Sequence, residues 1–184
     1  MKLLTTDEAA MIIRAGGVVA YPTESCYGLG CDPRNNRAVK RIIRIKGRSI
    51  SKGVILIADH YSRFRQFVKP LPQGVLDKVL ATWPGPYTWL IPVRPGAPRI
   101  LTGSHDSIAV RVTSHSVSRE LCRKSGMALI STSANRSNRP AIRLQSRIIR
   151  EFEGEIDGVV GGRIGMAKKP STITDALTGE VLRG

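Results

Sequence analysis

The chain has 184 residues, with 29 Lys and Arg against 14 Asp and Glu, for a net charge of +15. That length serves one domain, residues 1–184, with an adequate core and no disulfide or metal staple. The three cysteines, Cys26, Cys31 and Cys122, form no zinc set, so no metal ligand is nominated. Polar Thr5-Thr6-Asp7-Glu8 follows Met1-Lys2-Leu3-Leu4 directly, which excludes the apolar core of a signal peptide. No run reaches membrane-spanning length, so the expected location is the cytoplasm with no membrane contact. The charge excess suits a polyanionic partner, either nucleic acid or nucleotide phosphate.

Thr5 and Glu8 have capping-box spacing, and Ala9, Ile12 and Ile13 share one face of a helix that Gly16-Gly17 ends. Gly17-Val18-Val19-Ala20 reads as a buried strand. Pro22 cannot donate to a ladder, so the chain is expected to leave the sheet there and present Thr23, Glu24 and Ser25. Gly28 and Gly30 suit a positive φ or a close backbone approach near a ligand. A second helix is predicted over Arg37–Lys46, with Val39, Ile42 and Ile43 inward and Arg37, Lys40, Arg41 and Arg44 outward. Lys46, Arg48 and Lys52 then occupy a Gly- and Ser-rich loop. No acidic residue occurs from Pro33 to Ala58, and uncompensated cations suggest an anion site.

Beyond the strand Val54–Ala58, Ser62–Phe67 and Gln73–Ala81 are predicted as short helices. Trp83-Pro84-Gly85-Pro86 makes a rigid turn before the strand Tyr87–Ile91, and Pro92–Thr102 is expected to be a mobile loop or lid. Alternation over Ser107–Val112 places Ser107, Ala109 and Arg111 on one face, where Arg111 must find a structural or a substrate carboxylate. A helix over Ser116–Ser125 leads to the strand Met127–Ile130, which ends in Ser131-Thr132-Ser133-Ala134-Asn135. Four hydrogen-bonding side chains at a strand's carboxyl end can hold phosphate or ribose, or simply cap the next segment. Arg143, Arg147 and Arg150 have the spacing of one helical face able to follow an RNA backbone. No Walker or Rossmann fingerprint is present.

Together, Tyr21-Pro22-Thr23-Glu24 through Gly30, Lys46-x-Arg48, Trp83-Pro84-Gly85-Pro86-x-Thr88, Val110-Arg111-Val112, Ser131–Asn135 and Pro170-Ser171-Thr172 resemble the YrdC-like family, in its short bacterial branch. The resemblance implies an α/β fold, a twisted mixed sheet flanked by helices with a basic concave face. It also implies a nucleotidyltransferase activity, synthesis of threonylcarbamoyl-AMP and pyrophosphate from L-threonine, bicarbonate or CO2 and ATP with Mg2+, for threonylcarbamoyladenosine in tRNA. Tyr21–Gly30 and the other motifs then imply site residues by position. Thr23, Arg111 and Ser171 would bind threonine, and Lys46, Arg48, Ser107, Ser133, Asn135 and Ala141 would hold ATP. The implied partners are tRNA-modifying proteins of a TsaD-type complex, with direct RNA contact a further possibility. Ser49 departs from the family's usual proline, and Arg136-Ser137-Asn138-Arg139 from its usual Ser-Gly pair. The alternative is a non-catalytic RNA-binding or ribosome-maturation module that uses the basic face.

Overall fold

The apolar run before Pro22 is buried on both sides: Val18 and Ala20 enter one core, Val19 and Tyr21 a second. Such a strand belongs to a sheet with helices on both faces. The computed structural model, which describes residues 1–183, has that architecture. Its elements are β1 (Leu3–Leu4), α1 (Thr6–Arg14), β2 (Val19–Pro22), β3 (Tyr27–Gly30), α2 (Asn36–Lys46), β4 (Ile55–Ala58), α3 (Gln73–Ala81) and β5 (Tyr87–Pro92), then α4 (Arg99–Thr102), β6 (Ser107–Val112), α5 (Ser116–Ser125), β7 (Leu129–Ile130), β8 (Thr132–Ser133), α6 (Gln145–Glu151), β9 (Gly158–Val160), β10 (Thr172–Asp175) and β11 (Val181–Arg183).

The strands divide into two mixed sheets, β1-β9-β2-β3-β8 and β11-β10-β5-β6-β4-β7. One core packs α1 and α5 against Val19, Tyr21, Ile57 and Leu129. The other packs α2 and the aromatic cluster near Phe64 against Leu29, Leu56, Ile91 and Val110, so it spans both sheets. Ser131 is the only residue between β7 and β8, which belong to different sheets. Its N–H donates to Ile55 O at 2.9 Å, tying the crossing point to β4.

Local chemistry accounts for the ends. The Thr5–Glu8 capping box starts α1. Asn35 caps α2, and Gly47 ends it in the left-handed region at φ 58°, where a side chain would be strained. Pro22 does not leave the sheet; it remains opposite Tyr27 as the last residue of β2. Tyr27 turns its own N–H to Ile142 and its carbonyl to Ala134, and β9 pairs with β2 only at Val19 and Ala20, so no partner asks Pro22 for a hydrogen. Gly28 and Gly30 lie within β3 without positive φ, and close approach is their role. A Cβ on Gly30 would stand 2.5 Å from Ile130 O and 2.6 Å from the Tyr21 ring.

Three other expectations change. The helix expected over Ser62–Phe67 is a single 3-10 turn at Tyr61–Phe64. Pro92–Thr102 is not a lid, because its far end forms α4, whose Ile100 and Leu101 are buried and whose Leu101 carbonyl accepts from Val54 N–H at 2.9 Å. Finally, α6 begins at Gln145, which leaves Arg143 outside the helix, and Arg147 pairs with Glu151 at 3.3 Å. The three arginines therefore do not make one free basic face.

Candidate active site

β6 carries Ile108, Val110 and Val112 into the core, and Arg111 emerges on the opposite, half-buried face. It lines a cleft of about 360 Å3 beside the crossing point of the two sheets. Thr23, Gly28, Arg48, Ser131, Ser133, Ala141 and Ser171 share this lining, although they span almost the whole chain. Of the residues nominated from the sequence, Thr23, Arg48, Arg111, Ser133, Ala141 and Ser171 line this one cleft. Ser107 lies four residues before Arg111 on the same strand face, about 13 Å away at strand spacing. It is not part of the lining.

Lys46 and Asn135 stand behind the wall. Lys46 ends α2 and is 5% exposed. Its ammonium donates to the Asn135 carbonyl and Oδ1, each at 2.9 Å, and to the Ser133 carbonyl. Ser133 Oγ closes the cluster by donating to Asn135 Oδ1 at 2.7 Å. Burial, and then the nearby Arg48 charge, push the Lys46 ammonium down to about 8. Three carbonyl oxygens retain its proton at neutral pH, so an uncompensated cation sits within the fold.

Arg111 finds a structural carboxylate without exhausting its donors. One Nη donates to Glu24 Oε2 at 3.2 Å, and the other Glu24 oxygen accepts from the Thr113 hydroxyl at 2.6 Å. Burial alone would raise the Glu24 carboxyl, but Arg111 and Thr113 outweigh it and hold the group below the usual carboxylate range. The Nε hydrogens of both Arg111 and Arg48 are buried without an acceptor among the described residues. Each guanidinium retains unused donor capacity.

Arg143, Lys168, Lys169 and Arg183 complete a lining of six cations. Sequence reasoning missed Arg183 as a site residue and assigned Arg143 to an RNA-facing helix. Arg183 donates from Nε and Nη to the Ser171 carbonyl at 3.1 and 2.9 Å. Burial, followed by repulsion from Arg111 and Arg48, lowers its pKa, and burial lowers that of Arg48. Nothing in the three-residue β11 marks Arg183 beforehand; only the β10–β11 hairpin returns it to Ser171.

The departures from family pattern have local explanations. Ser49 Oγ accepts from Ser51 N–H at 3.3 Å, capping the 3-10 turn Ile50–Lys52 where a proline would have stiffened the loop. Arg136 pairs with Glu155 and lies over the Phe152 ring, 5.4 Å from its centre.

A fold of two mixed sheets around a cleft lined by crowded, mutually repelling cations defines an α/β protein whose cleft suits an anionic ligand. The comparisons give the particular family. The family model Sua5_yciO_yrdC, described as telomere recombination, matches residues 11–184. The chain belongs to the Sua5/YciO/YrdC family. It is 50% identical over 177 residues to a threonylcarbamoyl-AMP synthase of Pseudomonas savastanoi pv. phaseolicola, covering 96% of this chain and 95% of the relative. A threonylcarbamoyl-AMP synthase of Methylobacillus flagellatus is 48% identical over 171 residues, covering 93% and 94%. Among solved structures, P. abyssi Sua5 complexed with L-threonine superposes with a TM-score of 0.86 at 32% identity, covering 92% of this chain. The chain spans 50% of that longer protein. E. coli YciO gives a TM-score of 0.81 at 28% identity, covering 97% of this chain and 87% of its own.

Proposed function

We infer that the chain is a threonylcarbamoyl-AMP synthase, an enzyme that joins L-threonine, bicarbonate or CO2 and ATP into threonylcarbamoyl-AMP and pyrophosphate. The observation that carries the reading is the convergence of Thr23, Arg48, Arg111, Ser133, Ala141 and Ser171 on one basic cleft. Near-full-length relatives bear the same activity in their names.

Arg111 takes the threonine α-carboxylate on the donors that Glu24 leaves free, between Thr23 and Ser171. Arg48 and Arg183 face the triphosphate, with Lys46 acting through the Ser133–Asn135 segment. Threonine's neutral amine adds CO2 and gives up a proton to water to become a carbamate, whose oxygen attacks the α-phosphorus while the bond to pyrophosphate breaks. This step needs no protein nucleophile. It needs two anions that repel each other to be held in contact, and the charge on the departing pyrophosphate to be neutralised.

Mg2+ fits as part of the nucleotide substrate rather than as a resident ion. No group of three or more His, Cys, Asp or Glu side chains able to hold a metal lies among the described residues, and Glu24 is already engaged by Arg111 and Thr113. The product is an activated carbamoyl group that needs a nucleophilic acceptor, and a tRNA-modifying protein is the partner proposed to deliver it to tRNA.

The test is pyrophosphate release from Mg-ATP. It is expected to require both threonine and bicarbonate and to be lost in Lys46→Ala and Arg111→Ala. Release that ignores either co-substrate refutes the reading.

A further inference from the structure

A second hollow, of about 330 Å3, lies outside the active-site cleft. Tyr61, Val68, Leu71 and Leu76 give it an apolar floor, and Arg65, Lys69 and Arg94 stand around it. Trp83 supports the floor from beneath, its ring centre 6.2 Å from that of Tyr61 and 6.0 Å from that of Phe64. The rim is fastened by backbone bonds from Lys69 N–H to Pro92 O and from Arg94 N–H to Phe67 O. None of its three cations forms an ion pair among the described residues.

The complementary chemistry occurs elsewhere in this same chain. From Ser171 to Leu182 there is no Lys or Arg, while Asp175 and Glu180 are acidic, in a protein of net charge +15. This stretch is the β10–β11 hairpin short of its last residue, Arg183, and its tip carries Leu177, 55% exposed, followed by exposed Val181 and Leu182. The hairpin lies beside the hollow. β10 pairs along Tyr87–Leu90 of β5, while Phe67 and Lys69 bond to Pro92 and Arg94 where the same strand continues. An acidic apolar knob and a basic apolar hollow are therefore neighbours on one edge of the molecule. A twofold axis between such patches brings each knob to the partner's hollow, which is the self-complementarity an isologous contact requires.

We propose that two copies of this chain associate through this edge, Leu177 of each entering the other's hollow while Glu180 and Asp175 meet Arg65, Lys69 and Arg94. The acidic residues lower the like-charge repulsion between two strongly basic chains along this edge. The contact also holds the hairpin whose last residue, Arg183, lines the cleft. The occupant is a second copy rather than a foreign acidic peptide because the required knob is present at the required place.

Sedimentation velocity over a concentration series tests this directly. The wild-type protein is expected to pass from one-copy to two-copy mass as concentration rises, with association weakened by added salt. Lys69→Glu and Glu180→Lys should each weaken association about tenfold or more, and mixing the two variants should restore a heterodimer through one repaired pair. Leu177→Asp should abolish it. Circular dichroism, and a Tm matching that of the wild type at concentrations where both are one-copy, show that the variants are folded. One-copy mass throughout, two-copy mass indifferent to all three substitutions, or binding of acidic apolar peptides without self-association would each overturn the proposal.

Discussion

Removing the Glu24 carboxylate is the most incisive perturbation of the cleft. Glu24 and Arg111 are 13% and 11% exposed in their side chains and meet at 3.2 Å, so the ion pair is largely shielded from water. Truncating one partner of such a pair leaves an uncompensated charge, which costs about 3–5 kcal/mol. Because the Arg111 head borders a cleft, the lower figure applies, about 3 kcal/mol for Glu24→Ala, equivalent to a Tm fall of about 6–12 °C in a chain of this size. Arg111→Ala orphans Glu24 instead and should cost a similar amount. In the double variant neither charge remains, so the combined loss should stay near that of one single variant, a coupling of about 2–3 kcal/mol. Urea unfolding followed by fluorescence of Trp83 and Trp89 measures all three. The pH dependence has a fixed sign. Glu24 has a lowered folded pKa, so its contribution is full above the ordinary carboxylate range and disappears as pH falls through the folded value. The wild-type advantage over Glu24→Gln should therefore vanish in acid. Additivity of the single variants within about 0.5 kcal/mol would refute the account.

Two more outcomes follow from the same geometry. Gly30→Ala should lose about 1–3 kcal/mol in urea unfolding, because its Cβ meets the Ile130 carbonyl at 2.5 Å. Gly28→Ala, whose nearest neighbour is Thr23 Cγ2 at 3.1 Å, should be far milder in stability while raising the KM for threonine. Lys46 has a folded value of about 8 against an ordinary 10.5, so the unfolded chain binds the extra proton between those values and stability should rise with pH across that window. Unfolding of Lys46→Met over the same range should lack this component, and an identical pH profile in the variant would contradict it.

The parts legible in the sequence were those with local causes. The capping box at Thr5–Glu8 and the alternation of Ser107–Val112 each fix a conformation from within a few residues. Most of the cleft was legible through motif resemblance. Glu24 was visible as a polar residue at a strand end, but its role depends on Arg111 and Thr113, almost 90 positions away. Arg183 gave no signal, because a hairpin and a parallel pairing of β10 with β5 are both needed to bring it to the cleft. The Pro92–Thr102 segment misled by composition: its prolines and glycine suggest mobility, whereas Ile100 and Leu101 anchor it in the core. Arg143 misled by spacing, since its helical interval to Arg147 and Arg150 counts only if the helix extends that far.

The arrangement explains why a site with so few acid–base groups can still be catalytic. Lys46 is buried against neutral carbonyls, Arg48 and Arg111 leave buried N–H groups without acceptors, and Arg183 is crowded by both arginines. Each choice destabilises the ligand-free fold, and the unpartnered donors of Arg48 and Arg111 are the ones that anion oxygens entering the cleft would satisfy, whereas Lys46 already spends its three donors on carbonyls. Glu24 is the counterweight: one carboxylate, shared with Thr113, fixes Arg111 without neutralising its remaining donors. A carboxylate among the lining residues, where none stands among the described residues, would make the free protein more stable and compete with an anionic ligand for the same cations. Stability and anion binding are thus set against each other in this cleft, so charge-removing substitutions there should cost activity far more than they cost folding, except where Glu24 and Arg111 depend on one another.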